Sequence, residues 1–164
     1  MPTKPLRPYG NQEQKGCLGL SKVTLATDTH AFVYHLTRQS RKLGRRARRV
    51  FDRVERGLDT LLIPFTVLEE VMLLSEAGKV RLPLPFRDLL ISFIQADNFD
   101  LGVNDPQLLL EAAAIPAIKD PYDRMIVAQA RVLGLPLITG DDEIQKSARH
   151  KPRSIFKQAA KFVV

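Results

Sequence analysis

The chain has very little cysteine and no long hydrophobic run, and both absences exclude whole classes of protein. Only one of its 164 residues is a cysteine, Cys17, which rules out a disulfide framework and a zinc site built from thiolates. Apolar runs last only a few residues, whereas a membrane-spanning helix needs about 20. No apolar segment follows the basic N terminus, so we expect no secretory signal and a cytoplasmic location.

The glycine-rich strings that bind nucleotide phosphates in dinucleotide-binding and P-loop proteins are also absent. The chain does have enough apolar material for a core, with 45% hydrophobic and 26% charged residues, and its length predicts one compact domain. Positive charge is in excess, because 25 Lys and Arg face 18 Asp and Glu. The resulting net charge of +7 favours a polyanionic partner.

The chain divides into an N-terminal arm and a domain. Residues 1–21 hold three prolines and three glycines and show neither helical nor strand periodicity, which predicts a basic, mobile arm. From residue 22 to residue 164 we expect the domain. Its predicted strands are 23–27, 61–63, 99–103 and 136–139, and its predicted helices begin near Ala31 or span 38–57, 66–77, 85–96, 106–114, 120–133 and 142–149. Strands that alternate with helices indicate an α/β fold whose parallel sheet is covered on both faces.

Acidic side chains follow two of the predicted strands at the point where each strand ends. Asp28 comes directly after the strand 23–27, and Asp141 and Asp142 come after the strand 136–139. Ligands of doubly wound sheets bind beyond the carboxyl ends of the strands. We therefore expect these acids at one edge of the sheet.

Two predicted helices add further carboxylates. Asp120 and Asp123 begin one helix, and Glu69 and Glu70 lie one turn into another. Carboxylates that share a small volume repel one another, and a divalent cation relieves that repulsion. Oxygen ligands with a single cysteine and three histidines favour Mg²⁺ or Mn²⁺ over zinc.

Each acid also has a purely structural explanation. Asp120 and Pro121 are a typical helix start, with an acid at the third position near the positive helix end. Asp28 and the pair Asp141 and Asp142 suit helix caps, and most helical glutamates are simply solvated. One shared site accounts for all four segments, whereas separate caps require four coincidences.

Three segments resemble one known family, the PIN-domain ribonucleases, and most closely its VapC-type toxins of bacterial toxin–antitoxin pairs. They are VTLATDTHAFVYHL at 23–36, IPFTVLEEVMLLSEAGKVRLP at 63–83 and KDPYDRMIVAQARVLGLPLITGDDEI at 119–144. The resemblance implies a three-layer sandwich with a mainly parallel central sheet. Three features depart from the family pattern: Gly140 replaces a frequent Arg or Lys, no Trp precedes the glutamate, and the N-terminal arm is longer.

The resemblance also implies which residues act. It assigns catalysis to Asp28, Glu70 (in preference to Glu69), Asp120 and Asp141, and it adds Asp123 to these four as metal ligands for Mg²⁺ or Mn²⁺. Supporting roles near metal or substrate fall to Thr139, Arg124 and His30. A surface arginine and a structural histidine at a helix start are the alternatives for Arg124 and His30.

A basic helix is the predicted contact for RNA phosphates. Residues 38–49 contain seven Lys and Arg and no acid, and Arg45, Arg46, Arg48 and Arg49 are its candidate phosphate contacts. Such contacts give salt-sensitive, largely sequence-independent affinity. The alternative is a solvated helix face.

The sequence therefore predicts a metal-dependent ribonuclease that hydrolyses RNA phosphodiester bonds. By resemblance it is the toxin of a toxin–antitoxin pair, with a small cognate antitoxin as partner, and forms a homodimer. The alternative function is a PIN-like module that binds RNA or protein without catalysis. A phosphatase or receiver domain is disfavoured, since Asp28 is followed by Thr29 and His30 instead of the Asp-x-Asp string that a haloacid-type phosphatase needs.

Overall fold

A computed structural model of the chain describes residues 22–149 and the short strand at 162–163. The strands are β1 (Thr24–Thr27), β2 (Thr60–Ile63), β3 (Phe99–Leu101), β4 (Leu137–Ile138) and β5 (Phe162–Val163). The helices are α1 (Thr29–Leu36), α2 (Arg45–Glu55), α3 (Phe65–Glu76), α4 (Phe86–Gln95), α5 (Pro106–Ala113), α6 (Pro121–Val132) and α7 (Asp142–Arg149). None of these helices is long and apolar enough to cross a membrane.

The five strands form one sheet in the order β3-β2-β1-β4-β5, and every neighbouring pair is parallel. The chain builds the sheet outward from β1 to β3 and then crosses to β4 on the other side of β1. Because crossovers between parallel strands are right-handed, the helices of these two halves cover opposite faces. The predicted α/β fold, with a parallel sheet between two helical layers, is confirmed. The order reverses between β1 and β4, which makes their carboxyl ends the expected ligand site.

The core lies on both faces of the central strands. Leu61, Leu62 and Ile63 of β2 are buried without alternation, as expected for a strand covered on both sides. Phe32 of α1 is fully buried and packs against Phe93 of α4, with ring centroids 5.6 Å apart. Burial of these side chains holds α1 and α4 against the sheet. Only Asp28 lies between the end of β1 and the start of α1.

The prediction of one basic helix over residues 38–57 is wrong for the residues before Arg45. Helix α1 ends in a left-handed residue, Arg38 (φ 57°), and the amide of Gln39 donates to the carbonyl of Tyr34, which is the Schellman type of helix end. A single 3₁₀ turn, Ser40–Lys42, follows, and α2 begins only after the extended Gly44. The run of basic residues continues through this break, but the helix does not.

The strand β5 is a further departure from the sequence prediction, which assigned no strand beyond residue 139. Phe162 pairs in register with Leu137 of β4. Two residues are too few for any periodic pattern to identify a strand. The predicted arm, residues 1–21, lies outside the described residues.

Candidate active site

The carboxyl ends of β1 and β4 bring the first two predicted site residues together. The amide of Asp28 donates to the carbonyl of Ile138 over 3.0 Å, which continues the pairing of Thr27 with Ile138. Asp28 and Thr139 therefore follow paired positions of adjacent strands, and both are 2% exposed.

Asp28 is both a helix cap and an unsatisfied carboxylate. Its Oδ1 accepts from the amide of Ala31 at 2.7 Å and caps α1. Its Oδ2 is buried and has no hydrogen-bond partner among the described residues. Burial raises the pKa of Asp28, and the nearby hydroxyl of Thr139 only partly offsets this. Asp28 therefore caps α1 with one oxygen and leaves the other without a partner in the described part of the chain.

Thr139 links the end of β4 to Asp141. The amide of Asp141 donates to the Thr139 hydroxyl oxygen at 3.0 Å. Asp141 Oδ1 accepts from the amides of Glu143 at 2.6 Å and Ile144 at 3.1 Å, so Asp141 caps the start of α7. Asp141 also raises the pKa of Asp28 by its charge, which places it near that carboxylate.

Glu70 reaches the same edge from helix α3. Its Oε2 accepts a hydrogen bond from the hydroxyl of Thr29, the residue after Asp28. Burial raises the pKa of Glu70, Thr29 lowers it, and the charges of Asp120 and Asp28 raise it. Thr29 is a site residue that the sequence analysis did not single out, although its position directly after Asp28 was the available signal.

Asp123 shows that all five predicted acids converge. Its pKa is raised to about 7, first by burial and then by the charges of Asp120, Asp141, Glu70 and Asp28. Asp120 itself is exposed and caps α6, with Oδ1 accepting from the amides of Tyr122 at 2.8 Å and Asp123 at 3.2 Å. Four separate segments therefore bring carboxylates close enough for their charges to act on Asp123.

The chemistry of these residues fits a divalent cation. All donors are hard carboxylate oxygens, burial and then the charges of neighbouring acids raise the pKa values of Asp28, Glu70 and Asp123, and the buried Oδ2 of Asp28 has no partner in the described part of the chain. Among the described residues, however, no three Asp, Glu, His or Cys side chains already lie at the separations of a metal-ligating set. The acids lie around one volume, but no three of these described residues are close enough together to bind the same ion.

The remaining candidates lie around this volume. His30 is exposed on α1, and its charge lowers the pKa of both Asp28 and Glu70. Arg124 donates from Nη2 to the carbonyl of Lys119 at 3.3 Å, and it forms no ion pair with an acid in the range 22–149. The four candidate arginines of α2 are all exposed, opposite its buried apolar side chains (Arg45, Arg46, Arg48 and Arg49).

The raised pKa of Asp123 predicts how pH affects the stability of the metal-free protein. The ordinary value is 3.8 and the folded value about 7, so between these limits the folded protein binds a proton that the unfolded chain has lost. The free energy of unfolding therefore falls as pH rises from about 4 to about 7. We expect the Tm in EDTA to fall over this interval, and the fall to be smaller in Asp123→Asn and in excess Mg²⁺. Equal slopes of Tm against pH for the wild type and Asp123→Asn in EDTA would contradict the raised pKa of Asp123.

Two solved structures share this fold. The crystal structure of VapBC2 from Rickettsia felis, bound to a DNA fragment from their promoter, matches with a TM-score of 0.58 and 11% identity, covering 86% of this chain and 98% of that chain. The structure of VapBC-1 from nontypeable Haemophilus influenzae matches with a TM-score of 0.50 and 12% identity, covering 86% and 97%. No curated protein sequence matches the chain.

The family model of the PIN domain matches residues 25–150, which span β1 to α7 and all five converging acids. This range is most of the chain, and the chain belongs to the PIN domain family.

Proposed function

We propose that this protein is a ribonuclease that hydrolyses RNA phosphodiester bonds with the help of Mg²⁺ or Mn²⁺. The observation that supports this most directly is the convergence of five carboxylates at the carboxyl ends of β1 and β4, where burial and then the charges of the other four acids raise the pKa of Asp123 to about 7. The excess of positive charge on the chain, with exposed arginines on α2, suits a polyanionic substrate.

Asp28, Glu70, Asp120 and Asp141 would hold the cation, with Asp123 beside them. A bound divalent cation lowers the pKa of a water nucleophile and offsets negative charge on the leaving oxygen. The chain's hydroxyl groups orient the acids: Thr29 donates to Glu70, and Thr139 lies between Asp28 and Asp141. Because Asp28, Asp120 and Asp141 also cap helices, their carboxylates are held in place by backbone amides.

The direct test is cleavage of a mixed RNA pool by purified protein in Mg²⁺, in Mn²⁺ and in EDTA. We expect cutting in either metal and none in EDTA, with a single-stranded DNA pool as the comparison substrate. Cutting that persists in EDTA would contradict a metal-dependent reaction.

One observation favours the second candidate, a PIN-like module that binds RNA or protein without cleaving. Among the described residues, the acids do not yet form a set of three that could hold an ion. The same assay separates the two functions, since a binding module retains RNA without shortening it in any metal. A rise in Tm with Mg²⁺ would show that the folded protein binds the ion.

We further propose that the protein is a VapC-type toxin that acts in the cytoplasm, forms a homodimer and is neutralised by a small antitoxin. This proposal is supported by the three segments that resemble the family and by the two matched structures, which are of VapBC2 and VapBC-1. Exposed apolar side chains on α4 and α5 offer protein-binding surface (Ile91, Ile94, Leu109 and Leu110). Induced expression in a bacterial host should arrest growth, and the Asp28→Asn variant should not.

The exposed arginines of α2 predict a salt-dependent affinity for RNA. Each phosphate contact with single-stranded nucleic acid contributes about 0.7 to the slope of log affinity against log salt. We expect Arg46→Gln/Arg49→Gln to reduce this slope by about 1.4, measured by fluorescence anisotropy with labelled RNA. The control is Arg81→Gln/Arg87→Gln, two exposed arginines outside α2. Equal slopes for both variants would remove α2 from the RNA interface.

A further inference from the structure

A cleft of about 730 Å³ lies beside the acids, on the α7 side of Asp141. Its walls come from the segment before α6, which contributes Lys119, and from the first turns of α7, which contribute Asp142 and Lys146. Gly140 and Asp141 lie between these walls. Asp141 therefore belongs both to the converging acids and to this cleft, so that a ligand extending away from the acids past Asp141 enters it.

The two lysines give the cleft its cationic groups. Both residues are exposed, and in the described part of the chain no carboxylate lies within ion-pair distance of either amine. The backbone of Lys119 is fixed on both sides, because its amide donates to Glu143 Oε1 at 3.1 Å and its carbonyl accepts from Arg124 at 3.3 Å. The base of the Lys119 side chain thus has a defined position at the rim.

Three acids, Asp141, Asp142 and Glu143, also line the cleft beside the two lysines. Glu143 is bonded to the amide of Lys119, and Asp141 Oδ1 accepts from two amides of α7, so both carboxylates already have donors. Asp142 is exposed and makes no such contact among the described residues. A free carboxylate of this kind accepts hydrogen bonds from the exocyclic amino groups of nucleobases.

The volume of the cleft and the open space at Gly140 suit a nucleotide. About 730 Å³ falls within the range of small-ligand sites. At Gly140 an added Cβ would meet no atom within 4 Å, and this glycine has no positive φ. The cleft is therefore open where Gly140 lies, and a side chain placed there would project into space that a ligand could use.

We propose that this cleft binds the nucleotide that flanks the cleaved phosphodiester bond, with Lys119 and Lys146 contacting its phosphate and Asp142 contacting its base. The proposal rests on the proposed ribonuclease function. An RNA strand whose reacting phosphate lies among the acids must continue past one of them, and Asp141 opens onto this cleft. The cleft would then help to determine which nucleotide is accepted next to the cut.

The test measures binding separately from cleavage. Single-stranded RNA is titrated in Mg²⁺ onto the Asp28→Asn protein, alone and combined with Lys119→Ala/Lys146→Ala, across a series of salt concentrations. The matched control combines Asp28→Asn with Lys79→Ala/Arg87→Ala, which removes two exposed cations outside the cleft. We expect the slope of log affinity against log salt to fall by about 1.4 in the cleft variant, and no comparable fall in the control.

A second variant fills the cleft without changing its charge. Gly140→Phe should weaken RNA binding and raise KM more than it lowers kcat, while far-ultraviolet circular dichroism and Tm report that the fold is kept. In an otherwise active protein, Asp142→Asn should change the nucleotide preference next to the cut. Salt slopes that are equal in the cleft and control variants would overturn the proposal, as would RNA affinity that is unchanged by a folded Gly140→Phe protein.

The two proposals fail differently. If the wild type cuts RNA but the cleft variants behave like the control, the ribonuclease function stands and the cleft is not its nucleotide site. If no metal supports cutting but RNA affinity depends on Lys119 and Lys146, the ribonuclease function is wrong and the cleft still binds RNA.

Discussion

Replacing Asp28 with Asn is expected to lower the rate of RNA cleavage by about a thousand-fold or more. The substitution removes one negative charge at the centre of the acids and keeps nearly the same volume. Charge stabilisation by a bound metal supplies several kcal/mol to such reactions, and a loss of about 4 kcal/mol corresponds to about a thousand-fold in rate. The fold should be retained, because the side-chain oxygen of Asn caps a helix as well as that of Asp does, and Asp28 caps α1 through one oxygen only.

The control for this variant is Asp105→Asn. Asp105 caps α5 in the same way, with Oδ1 accepting from the amides of Gln107 at 2.7 Å and Leu108 at 3.2 Å, but it is not among the acids that shift the pKa of Asp123. Initial rates on a labelled RNA should be unchanged in Asp105→Asn and nearly absent in Asp28→Asn, with similar Tm values for both. An Asp28→Asn protein that cuts RNA at the wild-type rate in Mg²⁺ would remove Asp28 from the reaction.

The elements that position the site were predictable because local signals and tertiary structure agree there. Asp120 and Pro121 predict the start of α6, and the structure places Asp120 as its cap. The apolar run at 61–63 predicts a buried strand, and all its residues are buried in β2. A parallel sheet then determines where the acids meet, since Asp28 and Asp141 both follow the carboxyl ends of neighbouring strands. The convergence of the acids follows from topology more than from any one motif.

Features that depend on particular contacts were not predictable. The break between α1 and α2 arises from a left-handed Arg38 and an extended Gly44, whereas the basic residues continue through both positions. The bond between Thr29 and Glu70 joins residues 41 positions apart, and no periodicity encodes such a pair. The nucleotide-sized cleft depends on the placement of Lys119 against α7, which the sequence does not show.

A buried ion pair is another feature that the sequence did not reveal, and it supports the helix that presents Asp120 and Asp123. Glu111 of α5 is 0% exposed and Arg131 of α6 is 4% exposed, and Arg131 Nη1 lies 3.4 Å from Glu111 Oε1. The other carboxylate oxygen of Glu111 has no partner among the described residues. Two ions buried between packed helices are tolerated only as a pair, because each alone would lack compensation.

Removing one partner is therefore expected to destabilise the fold strongly. Arg131→Met leaves the Glu111 carboxylate buried without its cation, and such losses cost about 3–5 kcal/mol of unfolding free energy. The double variant Glu111→Leu/Arg131→Met replaces the pair with apolar side chains of similar size and should recover most of that loss. Urea unfolding of the wild type, both single variants and the double variant measures the four free energies. If Arg131→Met were as stable as the wild type, the ion pair would contribute little, and α6 would be held in place by its apolar contacts alone. If instead the double variant is stable and still cuts RNA, then α6 needs a matched pair of side chains at this position but not their charge.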